Sequence, residues 1–156
     1  MAKKIEKLLA EQSFFSDFSR KDLSFLADAA ERQTLNKNRV LFNQRTPAHE
    51  FYFVLSGLIT LQVPAIEGPA LMLQKVGAGS VLGWSWLIPP YEWSFQAEAD
   101  EDSELLVFDG QRILARCEAE PAFGYEVMKR FSTLMSDRLA YSRERMMAEW
   151  NPPGFA

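Results

Sequence analysis

The side chains with the most chemical reach cluster in one short stretch. Trp84, Trp86 and Trp93 place three of the four tryptophans within ten residues, with Ser85, Leu87, Tyr91 and Glu92 between them and Ser94 directly after. Indole faces stack flat rings, hydroxyls supply orienting hydrogen bonds, and a carboxylate framed by aromatic faces suits a cation. Gly83, Trp84, Ser85, Trp86, Leu87, Tyr91, Glu92, Trp93 and Ser94 therefore form a candidate ligand pocket. The competing reading is a hydrophobic plug, because burial in a core is the commoner use of aromatic side chains. Glu92, between two aromatics at a strand end, equally reads as a solvent-facing residue.

Other reactive residue types are sparse. His49 is the one histidine, set in the turn Pro47-Ala48-His49-Glu50, which leaves no histidine cluster for a metal. A Ser-His triad would have to be built on that residue, and it reads as a surface side chain. Cys117 is the one cysteine, so no internal disulfide and no multi-cysteine zinc pattern can form. It reads as a small apolar helix residue, since a reactive thiolate needs more activation than neighbouring Arg116 offers. Ser56 precedes Gly57 in a hairpin rather than at a strand-to-helix elbow, so it is no nucleophile motif. The run Asp100-Glu101-Asp102-Ser103-Glu104 lacks EF-hand spacing and reads as a charged connection. No catalytic residue, metal site or cofactor is expected, and the function is expected to be non-enzymatic.

The bulk composition agrees. A chain of 156 residues with 47% hydrophobic, 13% aromatic and 24% charged residues is expected to be one globular domain with a sizeable core. Disordered and collagenous classes are excluded. The formal charge of −4 and a pI near 5.1 speak against a surface built for nucleic acid. Glu6 and Glu11 interrupt any apolar signal segment. Ser56, Gly57, Thr60, Gln62 and Pro64 break the apolar stretch from Phe51 to Ile66, so it cannot span a bilayer as a helix. A cytoplasmic location is the default expectation.

The elements that must position the tryptophan stretch follow from periodicity. Lys3–Gln12 reads as a helix with Ile5, Leu8 and Leu9 on one face. Ser19 reads as the N-cap of a second helix, with Asp22 as its third residue and Leu23, Leu26, Ala27 and Ala30 as its apolar stripe. From Thr34 the period changes to that of short strands: Val40–Phe42, a half-buried strand in which Phe51, Phe53 and Leu55 alternate with Tyr52 and Val54, the return strand Ile59–Val63, Leu71–Val76, Trp93–Ala97 and Leu105–Phe108. Gly68-Pro69, Gly77-Ala78-Gly79 and Pro89-Pro90 punctuate them, as in a sandwich or barrel. Gln111–Cys117 is a short helix, and Pro121 opens a long one ending near Glu149, before Asn151-Pro152-Pro153-Gly154. At 1.5 Å per residue that helix would run about 42 Å, longer than a small β domain needs. Phe131, Leu134, Met135, Leu139 and Met146 then form a stripe expected to be a homodimer seam, with Met128 and Tyr141 beside it. Arg138, Arg143, Glu144, Arg145 and Glu149 would flank the seam and set its register; the alternative folds the stripe back onto the chain's own core.

Helices, then about eight short strands, then a short and a long helix: this order resembles the cyclic nucleotide-binding domain of catabolite-activator regulators and of the regulatory subunits of cyclic-AMP-dependent kinase. Phe51-Tyr52-Phe53-Val54-Leu55-Ser56-Gly57-Leu58-Ile59 resembles the family's aromatic strand and Ser-Gly turn, and Val76-Gly77-Ala78-Gly79-Ser80-Val81-Leu82-Gly83 its glycine-rich approach to the phosphate-binding cassette. Asn38 and Arg45 stand where many members have glycine. The resemblance runs from Phe14 to Leu139 and implies a mainly β fold, a double-sheet β-roll or jelly roll with flanking helices and a long C-terminal helix. One domain is expected over residues 1–156, with N-terminal helices over 1–32, the roll over 33–109 and C-terminal helices over 110–150.

The resemblance also says what the cassette should contain. In members that bind cyclic nucleotides, a short helix after the glycine offers N–H groups to the cyclic phosphate, a Glu directly after the glycine accepts from the ribose, and a downstream Arg pairs with the phosphate. Here Trp84 follows Gly83, and the Arg position, counted back from Ala97, falls on Tyr91. The Gly-Trp-Ser-Trp-Leu and Pro-Pro-Tyr segments resemble a bacterial subgroup that often has Arg after the Tyr, where this chain has Glu92. The implied function is a non-catalytic ligand-sensing or regulatory module that does not hold cyclic AMP or GMP in the usual way. Its partners would be a small molecule of unstated identity, a second copy of the chain and a partner protein. A pocket-degenerate scaffold that binds only protein is the alternative. No helix-turn-helix follows the long helix before Ala156, so DNA binding is not expected.

Overall fold

The computed structural model describes residues 2–150; Met1 and Asn151–Ala156 lie outside the described residues. Helix α1 (Ala2–Ala10) buries Ile5 and Leu9. Helix α2 (Arg20–Asp28) starts where expected: the Ser19 hydroxyl accepts the Asp22 N–H at 3.1 Å, satisfying one of the donors a helix start leaves open. Between these helices Phe14, Phe15 and Phe18 turn inward, and Phe15 lies 5.6 Å from Phe108 in a stacked pair.

Eight strands follow: β1 (Ala30–Leu35), β2 (Val40–Phe42), β3 (Glu50–Ser56), β4 (Leu58–Val63), β5 (Leu71–Gly77), β6 (Val81–Leu82), β7 (Gln96–Ala99) and β8 (Ser103–Asp109). They make two antiparallel four-stranded sheets, ordered β1-β8-β3-β6 and β2-β7-β4-β5. This is the expected double-sheet β-roll. The roll starts earlier than expected, because Ala30 already pairs with Phe108 and the strand runs on to Leu35 opposite Ser103. Only Ala30 and Leu35 of β1 are buried, so no alternation marks it in the sequence.

Strand β3 is not half-buried. Phe51 and Phe53 point to a core beneath the helices, while Tyr52 and Val54 point to a second core between the sheets. A strand covered on both faces keeps its period of two but loses the apolar–polar contrast. The Ser-Gly turn after it is set by contact: at φ +95° a Cβ on Gly57 would stand 2.1 Å from Ser103 Oγ. That hydroxyl accepts the Leu58 N–H at 3.2 Å and donates to the Glu101 carbonyl at 2.8 Å.

Helix α3 (Gly110–Ala119) is capped by Asp109, whose carboxylate accepts the Arg112 N–H at 3.1 Å. Arg116 ties the helices together: it pairs with Asp22 at 2.6 Å and with Glu120, and lies over the rings of Phe25 and Phe123 at 4.5 and 4.2 Å. Helix α4 (Pro121–Glu149) matches the expected bounds, with proline in its first turn.

The far half of α4 does not stand clear of the roll. Arg138 Nη2 donates to the Val81 carbonyl at 2.8 Å, and Arg145 Nη1 donates to the Met72 carbonyl at 2.7 Å. Arg138 and Arg145, named above as flanks of a seam, tie the helix to its own sheets. Phe131, expected in that seam, is 2% exposed and meets Phe14, Phe51 and Trp86 edge-on at 5.1–5.2 Å. It belongs to the chain's own core. Leu134 and Met135 pack partly against that core, and Leu139 and Met146 stay exposed.

Candidate functional site

The three clustered tryptophans do not converge. Gly83 has φ +99°, and a Cβ there would stand 2.8 Å from the Trp93 ring, so both backbone conformation and contact require glycine. Immediately after it the chain makes a turn, not a helix: the Leu87 N–H donates to the Trp84 carbonyl at 3.0 Å. Trp86 folds under this turn, its indole N–H donating to the Gly83 carbonyl at 3.1 Å, and its ring stacks on Phe51 in the helix-side core. Trp93 goes the other way. Its ring stacks on Phe42 at 3.7 Å and 11°, inside the roll. It also lies outside the strand expected over Trp93–Ala97, because its N–H and carbonyl bond to Thr46 and Arg45 instead.

Trp84 alone stays between the two cores, half-buried and edge-on to Phe95 at 5.9 Å. Ser85 and Leu87 are buried within the turn, while Glu92 and Ser94 face solvent. Tyr91 takes a left-handed conformation at φ 57°, and its carbonyl accepts the Ala48 N–H at 2.7 Å. The tryptophan stretch therefore splits into two core anchors, Trp86 and Trp93, and one rim residue.

That rim residue opens onto a cavity of about 260 Å³. Leu61, Leu73, Trp84 and Phe95 wall it from the roll, and Met135, Arg138, Leu139 and Ser142 close it from α4, with Gln74 at its edge. Met135 and Leu139, expected in the dimer seam, thus also line a cavity. Arg138 and Gln74 are shared with an adjoining cavity of about 420 Å³ toward Ser80 and Thr133. Burial lowers the Arg138 pKa, with the Asp137 charge opposing.

The remaining candidates are absorbed locally. Burial pushes the Cys117 thiol up to about 11, with Arg116 pulling the other way, which leaves the group a thiol at neutral pH. His49 is exposed, and its carbonyl accepts the Gly110 N–H at 2.8 Å. In the acidic run, Asp100 pairs with Lys75 at 3.2 Å, Glu104 with Arg32 at 3.6 Å, and Asp102 accepts the Lys37 N–H at 2.8 Å. Among the described residues no three His, Cys, Asp or Glu side chains gather as metal ligands. No helix of the described residues is long and apolar enough to cross a membrane.

The two rolled sheets, the glycine-led cassette and the helix closing over it define a class. Residues 32–120 match the cyclic nucleotide-binding domain profile, and the chain belongs to that family. A cyclic nucleotide-binding-like protein from Brucella abortus is 30% identical, with 69% of this chain and 92% of that one aligned at a TM-score of 0.58. The cyclic nucleotide-binding domain from Methylobacillus flagellatus superposes at a TM-score of 0.79 and 18% identity, over 99% of this chain and 86% of that one. The sensor domain of the transcriptional regulator DNR from Pseudomonas aeruginosa gives 0.72 and 20%, over 89% of this chain and 93% of that one. A search of curated protein sequences finds no match.

Arg138, read from the sequence only as a seam flank, is the one charged side chain that lines the cavity beside Trp84. Its place in a mixed-charge helix face gave no signal, because the carbonyl it reaches is 57 positions away.

Proposed function

We propose that this chain is a cytoplasmic ligand-sensing regulatory module whose pocket is the chamber between Trp84 and α4, and that it does not take cyclic AMP or GMP by the usual cassette contacts. The observation that carries this reading is the cassette itself. After Gly83 there is a turn closed by the Trp86 indole, where a helix start would offer N–H groups to a phosphate. Trp84 holds the place of the ribose-binding carboxylate and Tyr91 that of the phosphate-binding guanidinium. A buried phosphate left without its charged partner costs about 2–5 kcal/mol by analogy with interface pairs. Inside the roll, the Trp93–Phe42 stack occupies further space.

Coupling comes from α4, which contributes both to the chamber and, through Phe131, to the core. A ligand that binds one placement of this helix better than another shifts the population between them, and a partner can read that shift. The second reading is a scaffold that binds only protein; the burial of Trp86 and Trp93 favours it. Thermal unfolding against nucleotides, small anions and aromatic metabolites separates the two, since a ligand of the native state raises the melting temperature. A rise with at least one non-nucleotide compound supports the sensor; no rise with any compound supports the scaffold.

A further inference from the structure

We propose that Arg138 is the receptor for the charged group of the chamber's ligand, and that this ligand is an apolar, ring-sized monocarboxylate. The inference rests on the chamber being a ligand pocket, as proposed above. Four arginines are half-buried, and three of them face a carboxylate: Arg116 faces Asp22 and Glu120, Arg130 faces Glu126, and Arg145 faces Glu149. Arg138 faces none within ion-pair distance among the described residues. Its Nη2 is held by the Val81 carbonyl, while Nη1 is shielded from solvent and has no acceptor among the described residues. Arg116 Nη1 and Arg130 Nε and Nη2 are shielded in the same way, but each of those side chains has a carboxylate beside it. A guanidinium stays charged in a folded protein, so a shielded, unmatched edge is unfavourable until an anion reaches it.

The walls around Arg138 select the ligand. Arg138 lines the 260 Å³ chamber, whose other walls are mainly apolar and include the half-buried Trp84 ring beside Phe95. Such walls accept a flat hydrocarbon body. The chamber offers one cation, with Gln74 and Ser142 as neutral polar groups, so it balances a single negative charge. A carboxylate meets one guanidinium edge with matched geometry.

The test compares phenylacetate, benzoate and indole-3-acetate with their neutral amides, by thermal unfolding of the full chain. At least one acid is expected to raise the melting temperature by several degrees, its amide to give no comparable rise, and Arg138→Gln to weaken the acid's binding at least tenfold. The acid–amide comparison uses the unmutated protein and stands even if the variant folds poorly. Equal shifts from acid and amide, or an acid shift that survives Arg138→Gln, overturn the anion receptor while leaving the pocket in place. If no probe of either kind shifts the transition at millimolar concentration, the receptor and the pocket reading fall together.

Discussion

Gly83 and Arg45 show two ways in which single residues carry a left-handed backbone. Gly83 is bound to it by the Trp93 ring, whereas Arg45 adopts it at φ 66° on an exposed side chain. A non-glycine residue in this region costs about 1–2 kcal/mol, part of which glycine returns as chain entropy. Arg45→Gly is therefore expected to stabilise the protein by about 0.5–1 kcal/mol in urea titrations. The residue type was legible, because Asn38 and Arg45 stand at family glycine positions and both have positive φ. Tyr52 gives a pH dependence. Burial first, then the Glu50 charge and its 3.0 Å hydrogen bond, raise the phenol's pKa well above its ordinary 10.0. A raised acid contributes stability in full below the unfolded pKa and loses it as pH climbs past that value. Above pH 10 the unmutated protein should lose up to about 1.4 kcal/mol per pH unit more than Tyr52→Phe does, seen as converging denaturation midpoints. Parallel curves would contradict the assignment. Arg138 was not legible at this scale, because a long-range contact to a carbonyl leaves no trace in local spacing.

At the scale of elements, α4 carries the sharpest contrast. Its bounds could be read from Pro121 and the apolar period, but which side chains face the chain's own core could not, since one stripe serves either a core or a seam. Phe131 is in the core and Leu139 is 59% exposed. Phe131→Ala is expected to cost about 3–5 kcal/mol of unfolding free energy, the usual figure for deleting a buried ring. Leu139→Ala should stay within about 0.5 kcal/mol when measured on the dilute monomer. Similar losses at both positions would mean that α4 packs differently. Among strands, β3 and β8 announce themselves by their aromatic and β-branched runs. β1 and the two-residue β6 do not, since they are specified by the partners they pair with, Phe108 to Ser103 and Phe53 to Tyr52. The tryptophan cassette was visible as a cluster in sequence, yet its side chains separate in space. Trp86 and Trp93 fall on opposite sides of the first sheet, a consequence of the turn at Gly83 that spacing alone does not encode.

For the whole molecule, we propose that two copies pair through exposed apolar residues of α4. Leu139, Met146 and Met147 are open to solvent toward the end of α4, and a two-fold pairing through them would cover their surface. Light scattering at tens of micromolar is expected to give a dimer mass, with Leu139→Glu restoring the monomer; a monomer mass for the unmutated protein would refute the pairing. The proposed homodimer no longer includes Phe131, which the core already uses. The fold, by contrast, was readable almost throughout, because the Ser-Gly turn and the glycines before the cassette fall in order along alternating strands. The central claim is that a cassette with Trp84 after Gly83 and a turn in place of a helix does not seat a cyclic phosphate. Isothermal titration of the purified chain with cyclic AMP and cyclic GMP tests it most directly. No saturable heat is expected with either nucleotide at micromolar concentrations; one-to-one binding in that range would contradict the claim.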